Sequence, residues 1–448
     1  MLSSNSNNDS EIVLNNNYLK EVYNKLPESV KFAFSRPIHE ALIKNHTFKN
    51  TINSLIQYES MSEDQKINQQ LNDLKELSVS CYENSEFYRS RFNEAGVNPY
   101  SLNFDSYSML PVLDKNQILS NYDTFVKDFN FKGSYESATG GSTGKRLPVV
   151  YSRDCFYIEN AFAYYYYTKI GYEIGKSRLG YIGGDGNLTS ISPLYSMIRC
   201  NSTILNEQNL VKAVEHFNRF KPEFIRGFPS TVSYFAELLE RTSINLDYQV
   251  KGVFLQSENV TEKELKTIKR VFSCPISITY GLTERTVRAE FLEWNGTKPI
   301  YQFNKKYGYT EIVDNLIVGT GFINKSMPLL RYTSGDEAQP FDNGFCISGH
   351  RDSCIIGKNG ERTSLATLYD LGPCTDCISG MQFSQSSRGI VTVMYLSDAE
   401  LSSFQLSSIN SKLNELSGNS VSFQFERVDV LQRTDRGKLK LLVSGIDS

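Results

Sequence analysis

Between residues 18 and 92 apolar positions return every three to four residues, as in Tyr18–Leu26 and the long run Ile67–Phe92. That is the repeat of a helix with one buried face. From about residue 131 the texture changes. Short apolar runs, Arg146–Ser152, Ser177–Gly184, Glu223–Phe228 and Gln249–Gln256, alternate with amphipathic stretches such as Leu210–Phe220 and Ser230–Ser243. Strand-like runs separated by helix-length patterns predict an α/β protein. Ser230, directly after Pro229, is the expected N-cap of one helix, and Thr261 with Glu264 is the expected capping box of another. Residues 301–336 predict a series of short β segments. Past residue 348 the pattern restarts as strand (388–397), helix ending at Gly418, and strand with Val421, Phe423 and Phe425 on one face. The expected division is an Asn- and Ser-rich tail over 1–17, a large domain over 18–347 and a small domain over 348–448, with a hinge near Ser348–Asp352.

Composition narrows the function classes. Lys plus Arg is 47 and Asp plus Glu is 50, a formal charge of −3, so no electrostatic footprint for general nucleic-acid binding is expected. No stretch has the 18 or more apolar residues of a membrane helix, and the polar start lacks the apolar core of a signal peptide, so a cytoplasmic protein is expected. The eight Cys are mostly scattered singly, as in a reducing compartment. Cys374 and Cys377 form a lone CxxC in a Pro-containing turn, which is expected to be structural and not a zinc site. The Tyr164–Tyr167 run sits in an apolar stretch and is expected to pack in the core.

Four segments carry chemistry. Ser137-Ala-Thr-Gly-Gly-Ser-Thr-Gly-Lys145 offers backbone N–H groups free to approach an anion, hydroxyl donors and a cation, a composition suited to a polyphosphate. It is not a Walker A loop, because Thr139 and Arg146 stand where that motif needs Gly and Ser/Thr. Ile278-Thr-Tyr-Gly-Leu-Thr-Glu284 is an apolar strand opening into a loop with a carboxylate able to hold Mg²⁺. Met327–Asp336 ends in a Ser-Gly-Asp turn whose carboxylate can accept from a diol. Arg436-Gly-Lys438 places a lysine on a turn near the C-terminus.

In this order and spacing the segments resemble the adenylate-forming superfamily, and more closely its phenylacetate–CoA ligase and CapK-like capsular polysaccharide branch. Ser85–Gly96, Leu110–Lys115, Lys221–Ser230 and Gly319–Asp336 are similar to further segments of that branch, so the resemblance spans about residues 85–445. It implies a large N-terminal α/β domain with a small mobile C-terminal α+β domain. It also implies ATP- and Mg²⁺-dependent conversion of a carboxylic acid to acyl-AMP with pyrophosphate release. Transfer to coenzyme A or to an amine or hydroxyl acceptor would follow, in surface polysaccharide or specialised metabolite synthesis. Carried over by position, Thr139, Gly140, Gly141, Ser142, Thr143, Gly144 and Lys145 would cover the β- and γ-phosphates. Ser257 and Glu258 would border the adenine, and Tyr280 and Gly281 would contact it. Thr283 would touch the α-phosphate, Glu284 would hold Mg²⁺, Asp336 would bind the ribose hydroxyls, and Lys438 would bridge carboxylate and α-phosphate.

Two positions depart from the family pattern. At the hinge His350 stands in the usual Arg slot, with Arg351 and Asp352 one place later, so Arg351 is the expected ribose-binding arginine. Arg285–Tyr301 contains no Cys or His, so the metal cluster of some relatives is not expected. Relatives imply a monomer or homodimer. The competing reading is a catalytically silent nucleotide-binding homologue acting as a binding or scaffold protein.

Overall fold

A computed structural model describes residues 28–129, 133–139, 146–184, 186–296, 298–351, 353–434 and 437–444. The expected tail and the loop residues Gly140–Lys145 lie outside them. Four helices, Glu28–Lys44, His46–Glu59, Glu63–Asn84 and Glu86–Glu94, occupy the N-terminal helical stretch.

The centre of the molecule is a run of parallel strands. In chain order these are β1 (Leu179–Gly183), β2 (Met197–Asn201), β3 (Phe224–Gly227), β4 (Gly252–Gln256) and β5 (Ile276–Gly281). Helices α1 (Glu207–Phe220), α2 (Pro229–Thr242) and α3 (Glu262–Phe272) connect β2 to β3, β3 to β4 and β4 to β5. In space the parallel order is β5-β4-β3-β1-β2. Val253, Phe254 and Leu255 are consecutive and all buried, because helices or loops cover both faces of a parallel strand. Helix α2 buries Val232, Phe235, Ala236 and Leu239 at helical spacing. Each fully buried side chain of this size stabilises by about 1.5–3 kcal/mol.

Strand Thr189–Ser192 closes one edge antiparallel to β2. On the other side Arg288–Asn295, Lys298–Phe303, Gly344–His350, Tyr332–Phe341, Leu316–Gly321 and Gly308–Val313 extend the same sheet to twelve strands, all antiparallel. The strands after His350 belong to separate sheets. Ser422–Arg427, Ile390–Leu396, Gly380–Ser387 and Leu442–Ser444 form a four-stranded sheet in that order. It has its own core of Phe383, Val393, Ile409 and Leu413. Strands Ile390–Leu396 and Ser422–Arg427 run parallel around helix Ser403–Leu416, the β-α-β unit expected there. Cys374 and Cys377 sit at a 3₁₀ turn, their thiols directed at the Leu371 and Cys374 carbonyls.

The tyrosine run lies on helix Arg153–Thr168, with Tyr164, Tyr166 and Tyr167 buried. Tyr167 stacks on Phe254 with ring centroids 4.0 Å apart, and the Tyr166 hydroxyl donates to the Ile278 carbonyl at 2.9 Å. These contacts tie the helix to β4 and β5.

One helix start differs from expectation. Ser230 is not the N-cap of α2. Phe228 occupies that position with no side-chain cap, and Pro229 is the first helical residue. Proline suits this place because its fixed φ is helical and its missing N–H would have had no partner. The acceptor for the Ser230 N–H comes instead from Glu258, 28 residues along the chain.

Helix α3 starts as expected. The Thr261 hydroxyl accepts from Glu264 N at 3.2 Å, and Glu264 Oε2 accepts from Thr261 N at 2.9 Å. Glu264 is only 9 % exposed, and burial pushes its carboxyl up to about 8 against the pull of the Thr261 donors. A carboxyl raised on folding contributes stability that is complete below its unfolded value and is lost as pH rises through about 8. Glu264→Gln keeps the capping geometry and cannot ionise. Its stability relative to the native chain should rise by more than about 1 kcal/mol between about pH 5 and about pH 9 in urea denaturation. A difference that stays flat with pH would show that Glu264 does not titrate in this range.

Candidate active site

The C-terminal ends of β1, β3, β4 and β5 face one edge of the sheet. Loops at such ends are where α/β proteins place ligands, above all where neighbouring connections diverge. Here the chain leaves β1 toward β2 on one side and returns to β3 on the other. Four of the segments singled out from sequence meet at this edge.

At the end of β4, Ser257 has φ 64° and Glu258 turns back over the sheet. Glu258 Oε2 accepts from Ser230 N at the start of α2, at 3.3 Å, where the helix dipole favours a negative charge. Its Oε1 accepts from Leu439 N at 3.0 Å. One carboxylate thus joins β4, α2 and the chain segment next to Lys438.

The second group forms at the end of β5. The Tyr280 hydroxyl donates to Asp336 Oδ2 at 2.7 Å, and the Ser334 hydroxyl donates to the same oxygen at 2.8 Å. Glu284, three residues past the strand, is buried and accepts the Tyr332 hydroxyl at 2.6 Å. Burial pushes its carboxyl above the usual range; Asp336 adds to the rise, and Lys115 acts in the opposite sense. Gly281 is exposed at the strand end.

Thr139 closes the base of the Gly-rich loop. Its N–H donates to the Leu147 carbonyl and its hydroxyl accepts from Leu147 N, both at 3.0 Å. Strands Tyr135–Ala138 and Pro148–Tyr151 pair antiparallel below it. The Tyr151 hydroxyl donates to the Thr283 carbonyl, which hangs this hairpin beside Thr283 and Glu284.

Lys438 follows a tight turn. Gly437 N donates to the Thr434 carbonyl and Thr434 N to the Lys438 carbonyl, each at 2.8 Å. Gly437 has φ 86°, and a Cβ there would overlap the Gly184 backbone nitrogen at the end of β1. Only glycine satisfies both conditions. The Arg433 guanidinium braces the turn, donating to the Gly437 carbonyl at 3.0 Å and to Ser230 Oγ at 3.1 Å. Lys438 itself is exposed.

Arg351 is not brought to Asp336. Its backbone N–H reaches the Gly335 carbonyl at 2.8 Å, but its guanidinium pairs with Glu337 at 3.1 Å and the Asp314 carbonyl at 3.2 Å. Successive strand residues point to opposite faces, so a side chain that follows Glu337 leaves Asp336. The expected ribose contact from Arg351 is therefore not formed in this arrangement.

Two residues escaped the sequence reading. Leu113 bridges Tyr332, with Thr333 N donating to the Leu113 carbonyl at 2.9 Å, and Lys115, two residues on, lies where its charge acts on the Glu284 carboxyl. Lys115 and Tyr332 both lie in segments already marked by the resemblance, but nothing in the chain pairs them. Asp336 adds to the rise of the Glu284 carboxyl, whose hard oxygens are of the kind that suits a divalent cation.

Ser257 is an L-residue in the left-handed region, a conformation costing roughly 1–2 kcal/mol that glycine avoids. Glycine gives back part of this through greater freedom in the unfolded chain. Ser257→Gly should raise stability by about 0.5–1 kcal/mol, and Ser257→Val should lower it by at least about 1 kcal/mol. Thermal unfolding of both variants checks the order.

No family model matches the chain. Protein CapK of Staphylococcus aureus is 22% identical over 412 residues, covering 84% of this chain and 90% of that protein. Phenylacetate-coenzyme A ligase of Pseudomonas putida is 24% identical over 328 residues, 66% of this chain and 73% of that one. The structure of 2-hydroxyisobutyryl-CoA ligase in its postadenylation state superposes with a TM-score of 0.64 at 15% identity, over 86% of this chain and 90% of that one. The same ligase in its thioesterification state gives 0.52. The chain thus has the fold of the adenylate-forming CoA ligases and is similar along most of its length to CapK and to phenylacetate-coenzyme A ligase.

Proposed function

We propose that the chain activates a carboxylic acid with ATP, forming an acyl-AMP and releasing pyrophosphate, and then transfers the acyl group to an acceptor. The observation that carries this reading is the Glu258–Leu439 hydrogen bond, which draws the segment of Lys438 to the edge where Tyr280, Asp336, Thr283 and Glu284 converge. A carboxylate is a poor electrophile because its leaving group would be oxide. Attack of a carboxylate oxygen on the α-phosphorus of ATP breaks the bond to the β-phosphate and leaves AMP on the acyl carbon as a better leaving group.

Two anions must meet for this step, so cations belong where charge develops. Lys438 is the side chain assigned to the carboxylate and α-phosphate. Thr139, Gly140, Gly141, Ser142, Thr143, Gly144 and Lys145 are assigned to the β- and γ-phosphates. Glu284 fits Mg²⁺ by its donor chemistry, and bound Mg²⁺ would neutralise phosphate charge. Tyr280 with Gly281 would flank the base, with Ser257 and Glu258 along its edge, and Asp336 would accept from the ribose hydroxyls. The strands after His350 would form a lid over residues 348–448 that carries Lys438 in for the first step and out for the second. Coenzyme A, an amine and a hydroxyl compound are the candidate acceptors. The resemblance to the CapK-like branch supports a place in surface polysaccharide or specialised metabolite synthesis.

Acid-dependent exchange of labelled pyrophosphate into ATP tests the first step, across aromatic, fatty, amino and uronic acids with Mg²⁺. Exchange with one class is expected, and Lys438→Ala should reduce it by at least about 10²-fold with folding intact. Silence over the panel with ATP still bound would favour the catalytically silent homologue. Gly437→Ala should also lower exchange, by at least about tenfold, because its Cβ would lift the turn from Gly184. Unchanged exchange in that variant would show that the docked turn is not used in adenylation.

A further inference from the structure

Beside the Lys438 turn lies a cavity of about 760 Å³ that none of the assigned nucleotide contacts uses. Helices α2 and α3 form one wall, and the segments around Tyr369 and Arg433 form the other. Ser230, Arg433 and Leu439 line its inner end, so it opens onto the Glu258 junction.

Its chemistry is uneven. Glu237, Glu264, Asp370 and Asp429 line it, against Lys263 and Arg433. The two cations are already engaged: Lys263 donates to the Ile378 carbonyl, and Arg433 is held at Ser230 and Gly437. Glu237 has neither a hydrogen bond nor an ion pair among the described residues. The rings of Tyr234 and Tyr369 add faces that attract a cation. A second observation is independent of the carboxylates. Ser202 and Ser233 line the same cavity at 4 % and 3 % exposure, and their hydroxyls have no partner among the described residues. A buried hydroxyl without a partner costs about 1–3 kcal/mol, so both sites await a polar ligand.

We propose that this cavity binds a hydroxylated primary amine as the acyl acceptor, its ammonium between Glu237 and Glu264 and its hydroxyls at Ser202 and Ser233. The assignment rests on the acyl-AMP reading above and names the acceptor that reading leaves open. Burial raises the Glu237 and Glu264 carboxyls, with Lys263, Arg241 and Arg270 acting in the opposite sense on Glu237 and the Thr261 donors on Glu264. In the transfer step one ammonium proton passes to the Glu237 carboxylate. The freed nitrogen attacks the acyl carbon and forms the C–N bond, and the bond to AMP breaks with its electron pair on the phosphate. The second nitrogen proton goes to that phosphate, so the products are amide, AMP monoanion and protonated Glu237.

Calorimetric titration of the full chain with D-glucosamine and ethanolamine tests the site, with N-acetyl-D-glucosamine and ethylene glycol as uncharged counterparts. At least one amine should bind about tenfold or more tightly than its counterpart, and Glu237→Gln should weaken that binding by at least about tenfold. Glu264→Gln, which keeps the α3 cap, is the second variant and should weaken it in the same sense. Equal binding of amine and counterpart, or amine binding untouched by both variants, overturns the proposal. Binding of coenzyme A that tightens in Glu237→Gln also overturns it, since the cavity would then serve a polyanion. Pyrophosphate exchange on the native chain is read separately: its absence alongside charge-selective amine binding removes the acyl-AMP reading and leaves the cation site standing.

Discussion

The Glu258 carboxylate is the point on which the arrangement depends. It receives the Ser230 N–H at a helix start that proline and phenylalanine leave uncapped, and the Leu439 N–H from the far end of the chain. A half-buried carboxylate that accepts two backbone donors is held in one orientation, and removing it would leave both donors without an acceptor. The strand end, the helix start and the C-terminal turn are thus placed by one side chain. The positions of Ser257, Gly437 and Arg433 follow from that geometry: the first must turn sharply to aim Glu258, the second must approach Gly184 without a Cβ, and the third spans the gap between Ser230 and the turn.

A second set of constraints acts on the opposite side of the edge. Tyr151, Tyr280 and Tyr332 each send a hydroxyl to a different part of the site: the Thr283 carbonyl, Asp336 and Glu284. These rings orient groups on the loop after β5 and on strand Tyr332–Phe341, and phenol donors add no charge to a place already rich in carboxylates. Part of the chain's high tyrosine content is thus used for orientation and not only for core packing.

Much of this was legible beforehand for a physical reason. Parallel strands covered on both faces appear as uninterrupted apolar runs, so β1, β3 and β4 stood out, and α1, α2 and α3 stood out by their helical period. The Tyr280–Glu284 segment, Asp336 and the terminal Gly-Lys pair could be proposed from sequence because each is a local pattern, and the fold carries them to the same sheet edge, while the Gly-rich loop lies outside the described residues. What escaped depends on long-range placement. Ser230 looked like a cap because its natural competitor, Glu258, is brought in only by the fold of β3 and β4. Lys115 comes within electrostatic reach of Glu284 beside the Leu113–Tyr332 bridge, which no local spacing announces. Arg351 turns to Glu337 and the Asp314 carbonyl, partners that only the fold brings to it.

The contact between Gly437 and the end of β1 is made by backbone against backbone, with Arg433 and Glu258 beside it. Such a latch is held chiefly by the hydrogen bonds that Glu258 and Arg433 make around the backbone contact, so its release turns on the loss of those bonds. The Leu439 amide is then exposed to solvent whenever the latch parts, long before the sheet unfolds. Its deuterium exchange therefore counts the openings of this edge directly, one amide proton for each excursion captured.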